Sequence, residues 1–163
     1  MALAFGACWA AEPTVGSLVL GVPVALAGLA LRAWAAGHLR KNQQIAASGP
    51  YAHVRNPLYI GSLLAAVGLG VSANHALLLG AIVAVFLLWF LPVVGEEESH
   101  LRKILPGFRE YEARVPRFLP SLSPRCDSQT AFDLGLYLSN REYSALFGFV
   151  AFMAVLWLKM TFL

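Results

Sequence analysis

Four long apolar runs limit this chain more than any other feature, because each is nearly free of charge over a length comparable to a bilayer's hydrocarbon core. The first, residues 15–36, has no charged side chain before Arg32. About 20 apolar residues span the core, and within it every backbone N–H and C=O must be satisfied internally, which leaves helices as the economical solution for runs of this kind. The others fall at 58–73, 76–95 and 143–163. The expected fold class is therefore all-α: a polytopic membrane helical bundle of about four transmembrane helices. With 58% hydrophobic and 13% charged residues, the chain lies well below the roughly 25% charged content of soluble domains. Its 163 residues suit a single domain, 1–163.

Within the first run Ser17, Gly21 and Ala25 recur every fourth residue and form a small-residue stripe for close helix contact. Pro23 can kink that helix. Pro57 suits a helix's first turn, where its missing N–H is no loss. Ser72-Ala73-Asn74-His75 breaks the second run from the third, and Lys159 can snorkel from near the end of the last. Met1 to Ala11 is apolar but too short to cross and lacks a basic n-region. It reads as an interfacial or packing extension, and as a fifth crossing only if it turns into the membrane.

Charge orients the helices. Arg32, Arg40, Lys41 and Arg55 flank one loop, and Arg102, Lys103, Arg109, Arg114, Arg117, Arg125 and Arg141 fall in the other. By the positive-inside rule both loops are expected in the cytoplasm, so the net charge of +3 is a topology signal. A nucleic-acid partner would need a basic groove with interleaved aromatics on a soluble fold, which this chain does not supply. Cys8 and Cys126 fall on opposite sides of the first crossing and are not expected to pair. No ligand spacing suggests a metal.

The chemistry is expected in the polar segments 37–57 and 96–142. The first ends in Gly49-Pro50-Tyr51-Ala52-His53-Val54-Arg55-Asn56-Pro57-Leu58-Tyr59. The second opens on Glu96-Glu97-Glu98-Ser99-His100 and contains Tyr111-Glu112-Ala113-Arg114-Val115-Pro116. Residues 96–114 have helical spacing interrupted at Pro106-Gly107, and Pro116, Pro120 and Pro124 impose an extended course. Phe132, Leu134, Leu136, Tyr137 and Leu138 suggest a short stretch on the membrane surface.

Together with Arg32-Ala33-Trp34-Ala35-Ala36-Gly37-His38, these blocks stand in an order that resembles the isoprenylcysteine carboxyl methyltransferase and phospholipid methyltransferase superfamily. The resemblance implies an S-adenosylmethionine-dependent enzyme with S-adenosylhomocysteine as product, no metal, and a cytoplasmic C-terminal cofactor-binding region. Arg55-Asn56-Pro57 stands where the eukaryotic isoprenylcysteine enzymes resemble Arg-His-Pro, and Leu105-Pro106-Gly107-Phe108 is a degenerate Phe-Gly element. With its short loops, the chain is similar to prokaryotic members of a cell (inner) membrane, for which prenylated proteins are not an expected substrate.

Under that resemblance His38, Tyr51, Arg55, Asn56, Pro57, Tyr59, Glu97 and Glu98 are the cofactor-binding residues, Arg114, Tyr111 and Trp34 meet the acceptor, and Arg114 and Glu98 are the catalytic pair. The assignments make chemical sense. A guanidinium such as Arg55 can take a carboxylate through paired hydrogen bonds, Glu97 or Glu98 can accept from ribose hydroxyls or an ammonium, and an aromatic face can meet the cationic sulfonium. Each residue also has a plainer reading: Arg55 as a flanking topology charge, Tyr51, Tyr59 and Trp34 as an aromatic belt, and Glu96 to Glu98 as a solvated helix start.

The first expectation for the acceptor is a lipophilic carboxylate held by Arg114, entering sideways from the bilayer. A phospholipid or other amine is the second, with one glutamate accepting its proton. A non-catalytic protein binding lipid or a partner in the same pocket is the reading from another class.

Overall fold

The structure, a computed structural model, describes residues 11–126 and 130–162. The apolar start of the chain before Ala11, and with it Cys8, lies outside the described residues. Among the described residues six longer helical elements follow one another, besides a 3₁₀ turn at Gly49–Ala52: α1 (Val15–Ala36), α2 (Pro57–Ser72), α3 (Ala76–Ile104), α4 (Phe108–Arg114), α5 (Leu134–Ser139) and α6 (Tyr143–Phe162). Among the described residues, α1, α3 and α6 are each long and apolar enough to cross a membrane, and α2 is a shorter apolar helix. The molecule is thus an all-helical membrane bundle.

Each start is set locally. Thr14 caps α1 by accepting from the Ser17 N–H at 3.1 Å, while the Ser17 hydroxyl accepts from the Thr14 N–H at 3.0 Å, a reciprocal arrangement that satisfies two otherwise orphaned donors. Pro57 opens α2. His75 caps α3 by accepting from the Leu78 N–H at 3.2 Å.

The contact between α1 and α2 is the closest in the bundle. Ser17, Gly21, Ala25 and Gly28 are buried along α1 and face Gly61, Gly68 and Ser72 of α2. A Cβ on Gly28 would stand 2.5 Å from the Gly61 carbonyl oxygen, and one on Gly68 would stand 2.6 Å from the Gly21 carbonyl oxygen. Backbone therefore meets backbone, which in lipid replaces the missing hydrophobic driving force with dispersion contact. The Ser17 hydroxyl donates across the interface to the Ser72 carbonyl at 3.1 Å. The stripe read from Ser17, Gly21 and Ala25 is the helix interface.

α3 runs for 29 residues, roughly 44 Å, and outreaches a hydrocarbon core of about 30 Å. The apolar run that ends at residue 95 and the acidic helix that follows it are one rod. Pro92 has no N–H to give and its ring crowds the carbonyl four residues back. The turn just before it, Phe86–Phe90, is wound as a π-helix, a form that takes up such a disruption without breaking the helix.

The polar end has a small core of its own. Leu105, Phe108, Tyr111 and Val115 are buried together, with Ile45, Ala47 and Leu101 packed against them. Gly107, with φ of 82°, makes the left-handed turn that reverses α3 into α4, where a side chain would be strained. Residues 115–125 then run extended across the 52–55 loop, with backbone N–H groups of Arg55, Ser121 and Arg125 donating to the carbonyls of Pro116, His53 and Ala52 at 2.9, 3.0 and 2.8 Å. At the opposite end Ala11, Ala73 and Leu156 are buried together.

The interface predicts its own sensitivity. Gly28→Leu should destabilise the protein by about 1–3 kcal/mol, the usual cost of overpacking a contact that cannot yield. Gly80→Ala, where an added Cβ meets nothing within 4 Å, should be neutral or slightly stabilising. Unfolding in bicelles measures both, and equal behaviour of the two variants would refute the backbone-contact account.

Candidate functional site

Where α2 begins, the 3₁₀ turn Gly49–Ala52 and the strap 115–125 bring the polar segments together against the far end of α3. Gly49 has φ of 55°, and a Cβ there would stand 2.6 Å from the His38 ring, so backbone conformation and close approach both require glycine. The turn points Tyr51 inward. Its carbonyl accepts from the Tyr111 hydroxyl at 2.9 Å, which ties α4 to the loop. Burial pushes both phenols above their ordinary range, so they stay protonated.

The electrostatic centre is Glu98, only 4% exposed. Its Oε1 lies 3.3 Å from Arg55 Nη1 and accepts from Asn56 Nδ2 at 3.0 Å, and its Oε2 lies 3.2 Å from Arg117 Nε. Asn56 Nδ2 also donates to the Arg117 carbonyl at 3.3 Å. Arg55 Nη1 is 3.9 Å from Glu112 Oε1, and Glu112 is in turn held by Arg102 through contacts of 2.6 and 3.1 Å. The Arg102 guanidinium keeps the Glu112 carboxyl below its usual range. A carboxylate buried this deeply persists only when paired on both oxygens, and Glu98 is.

Glu97, one residue away on the same rod, is placed differently. It accepts from the Tyr59 hydroxyl at 2.8 Å, and Tyr59 stands edge-on to Phe90 with ring centroids 5.8 Å apart. Glu97 and Glu98 lie 100° apart around a helix, so one faces the open space while the other is clamped.

That space is a cleft with a cavity volume of about 70 Å³. Of the residues singled out in sequence, Tyr51, Arg55, Asn56, Pro57, Tyr59, Glu97, Glu98 and Tyr111 line it. Leu39, Arg40 and Lys41 form its other wall with Leu101, Leu105 and Phe108. Three residues singled out in sequence do not line it. His38 is buried behind Gly49, with Nδ1 2.9 Å from the Ser48 hydroxyl and its ring edge-on to Trp34 and Phe132. Burial lowers its pKa, which favours the neutral ring. Trp34 is 46% exposed on α1, and Arg114 is exposed at the end of α4.

Two features had only faint signals in sequence. Arg117 stands three residues past Arg114, and its approach to Glu98 depends on the strap's pairing with the 52–55 loop. Arg32, the lone charge in the first apolar run, binds Glu142: its Nε and Nη2 reach Glu142 Oε2 at 2.9 and 2.6 Å, and its Nη1 donates to the Ser62 hydroxyl and to the Leu58 carbonyl at 3.5 Å.

Two curated proteins are similar to this chain. The cobalt-zinc-cadmium resistance protein CzcN of Cupriavidus metallidurans is 36% identical over 107 residues, covering 64% of this chain and 48% of that protein. The nickel-cobalt-cadmium resistance protein NccN of Alcaligenes xylosoxydans xylosoxydans is 33% identical over 141 residues, covering 85% of this chain and 64% of that protein. The chain thus spans between about half and just under two thirds of these relatives. No solved structure matches it significantly. A model of the phospholipid methyltransferase family matches residues 16–106, more than half of the sequence, from within α1 to just beyond the end of α3. The chain belongs to the phospholipid methyltransferase family of membrane methyltransferases, part of the superfamily that its sequence blocks resemble.

Proposed function

We propose that the cleft binds S-adenosylmethionine and that the protein transfers a methyl group to a lipophilic acceptor at the cytoplasmic edge of a prokaryotic cell membrane, releasing S-adenosylhomocysteine. The family's methyltransferases generally use this cofactor. The observation that carries the reading is the state of Arg55. Its side chain is 13% exposed and lines the cleft; its Nη1 is shared between Glu98 at 3.3 Å and Glu112 at 3.9 Å, and its Nε makes no hydrogen bond among the described residues. A guanidinium held in the cleft wall with donors left over can take a carboxylate through paired hydrogen bonds. The surrounding charge agrees: among the charged side chains lining the cleft, Arg40, Lys41 and Arg55 exceed Glu97 and Glu98 by one.

When bound, the cofactor supplies an electrophilic methyl on a cationic sulfur. Arg55 is suited to its amino-acid carboxylate, Glu97 to its ammonium or to ribose hydroxyls, and the faces of Tyr51 and Tyr59 to the sulfonium. Asn56 and Pro57 fix the loop and the first turn of α2 that present these groups. Glu98 serves as the anchor that positions Arg55 and Arg117. Among the described residues no three His, Cys, Asp or Glu side chains gather as a metal site. We read the relatives' metal-resistance names as a setting in which such a methyltransferase works.

Two acceptor chemistries fit a lipophilic partner. For carboxyl O-methylation, the acceptor needs a cation at the cleft. Arg40 and Lys41 line it, whereas Arg114 would have to be recruited from outside. For an amine, the acceptor must be neutral to attack and its proton needs a base. Glu97 favours the amine, because it lines the cleft with only Tyr59 hydrogen-bonded to it, whereas Glu98 is paired on both oxygens.

Cofactor binding separates an enzyme from a lipid-binding scaffold. Calorimetry on the detergent-purified chain should detect S-adenosylhomocysteine, Arg55→Ala should weaken it by roughly 2–5 kcal/mol, and Arg109→Ala, exposed on α4, should bind like the parent. No binding by the parent would leave the scaffold reading.

The pH profile separates the acceptors. For an amine the rate should climb with pH toward the amine's pKa, about 10.4 for an alkyl ammonium, and Glu97→Gln should be severely impaired at neutral pH. A rate flat above about pH 4, with Glu97→Gln active, would return the carboxylate reading. Release of transferred label from a total lipid extract by mild base as volatile methanol would support the same conclusion, because it marks a methyl ester.

A further inference from the structure

A second recess lies outside the cleft, between α1 and the start of α6. Leu26, Leu29, Ala30 and Ala33 form one wall, Ala145 and Leu146 the other, and Arg32, Glu142 and Tyr137 line its polar part. Its cavity volume is about 230 Å³. Its walls belong to two helices long enough to cross a membrane, and Leu26 and Leu146 are 45% and 46% exposed, so its mouth faces lipid. The backbone is arranged to bring the charge in. Asn140 Nδ2 donates to the carbonyls of Ala36 and Leu39, both at 3.0 Å, and Arg141 adopts the left-handed φ of 56°, which places Glu142 over α1. Arg32 and Glu142 are 24% and 12% exposed.

This recess and the cleft share a wall. Arg32 donates to the carbonyl of Leu58, and Leu58 lines the cleft. The stem of Arg32 crosses Gly61, where an added Cβ would stand 2.7 Å from Arg32 Cγ. Leu58 thus stands between the cleft and the lipid-facing recess that holds Arg32 and Glu142.

We propose that the crevice between α1 and α6 is the membrane-side entrance through which the polar end of the acceptor reaches the cleft, with Arg32 and Glu142 as its polar threshold and Leu58 as the partition that must yield. This rests on the methyltransferase reading above and specifies the acceptor's path. Ionisable groups at membrane depth face interiors or substrate routes, and a polar headgroup leaving the interface needs partners at each stage. The pair supplies them: Glu142 Oε2 takes both bonds from Arg32, while Oε1 accepts none among the described residues. The competing route is the larger groove between α2 and α3, lined by Ala66, Leu69, Ile82, Phe86, Phe90 and neighbours. Its one polar side chain, Ser62, is already engaged, donating to the Leu58 carbonyl at 2.8 Å and accepting from Arg32. It suits a hydrocarbon chain and gives a headgroup nothing.

The test seals each route in turn, in full-length protein in proteoliposomes with Cys8 and Cys126 replaced by alanine. Cysteines at Leu29 and Leu146 are bridged by a bis-methanethiosulfonate reagent, as are cysteines at Ala66 and Ile82. Transfer of radiolabelled methyl to a total lipid extract and binding of S-adenosylhomocysteine are both measured. Bridging 29 to 146 should abolish transfer reversibly, leaving S-adenosylhomocysteine binding intact, while bridging 66 to 82 should not abolish it. Ala145→Trp, which fills the crevice without a bridge, should lower kcat/KM for the lipid about tenfold or more, chiefly through KM. Full transfer with the 29–146 bridge complete, or loss with the 66–82 bridge alone, overturns the entrance. A parent that neither binds S-adenosylhomocysteine nor transfers label instead overturns the methyltransferase reading, and the entrance falls with it.

Discussion

The approach of α1 to α2 without intervening side chains is the constraint on which the rest depends. Because Gly21, Gly28, Gly61 and Gly68 let the two backbones touch, Arg32 on α1 lies close enough to bond the first turn of α2. That turn carries Tyr59 and follows directly on Arg55 and Asn56. A wider helix separation would withdraw the guanidinium from Leu58 and Ser62 and leave it among hydrocarbon with Glu142 alone. A packing motif at the centre of the membrane thereby sets the geometry of a polar site at its edge.

The polar end is organised around a carboxylate instead. Glu98 gathers groups from three stretches of chain: Arg55 and Asn56 from the loop before α2, itself from α3, and Arg117 from the strap. Removing one member would strand buried charge, which costs more than the assembled cluster gains over an apolar one. The cluster's value is thus specificity of arrangement. It fixes where the loop and strap meet the rod, and Tyr111, bonded to the Tyr51 carbonyl, closes the same junction from α4.

The helices could be read from sequence because membrane spans are local properties: a run of apolar residues, a proline at the start, a glycine or asparagine at the turn. The small-residue stripe of α1 was readable for the same reason. Much of the cleft could be read too, since Tyr51 to Tyr59 and Glu97 to Glu98 lie in two short contiguous blocks. What sequence did not contain was the path of the chain between blocks. α4 ends at Arg114 with its side chain exposed, and only the hydrogen bonding of residues 115–125 to the 52–55 loop turns Arg117 toward Glu98. The partner of Arg32 was out of reach for a like reason, because Glu142 lies 110 residues away and no local pattern links them. His38 and Trp34 sit close together as expected of their shared turn, but Gly49 interposes the loop between His38 and the cleft.

The unbroken course of α3 has a mechanical consequence. A rod anchored in the bilayer over its first half and carrying Glu97 and Glu98 on its second transmits the membrane's state to the polar end. A change in hydrocarbon thickness that alters the rod's tilt moves both carboxylates with it, and the π turn at Phe86–Phe90, one wall of which meets Tyr59, is the place where that motion can be absorbed or passed on. The lipid phase is in this sense an input to the site as well as the solvent of the fold.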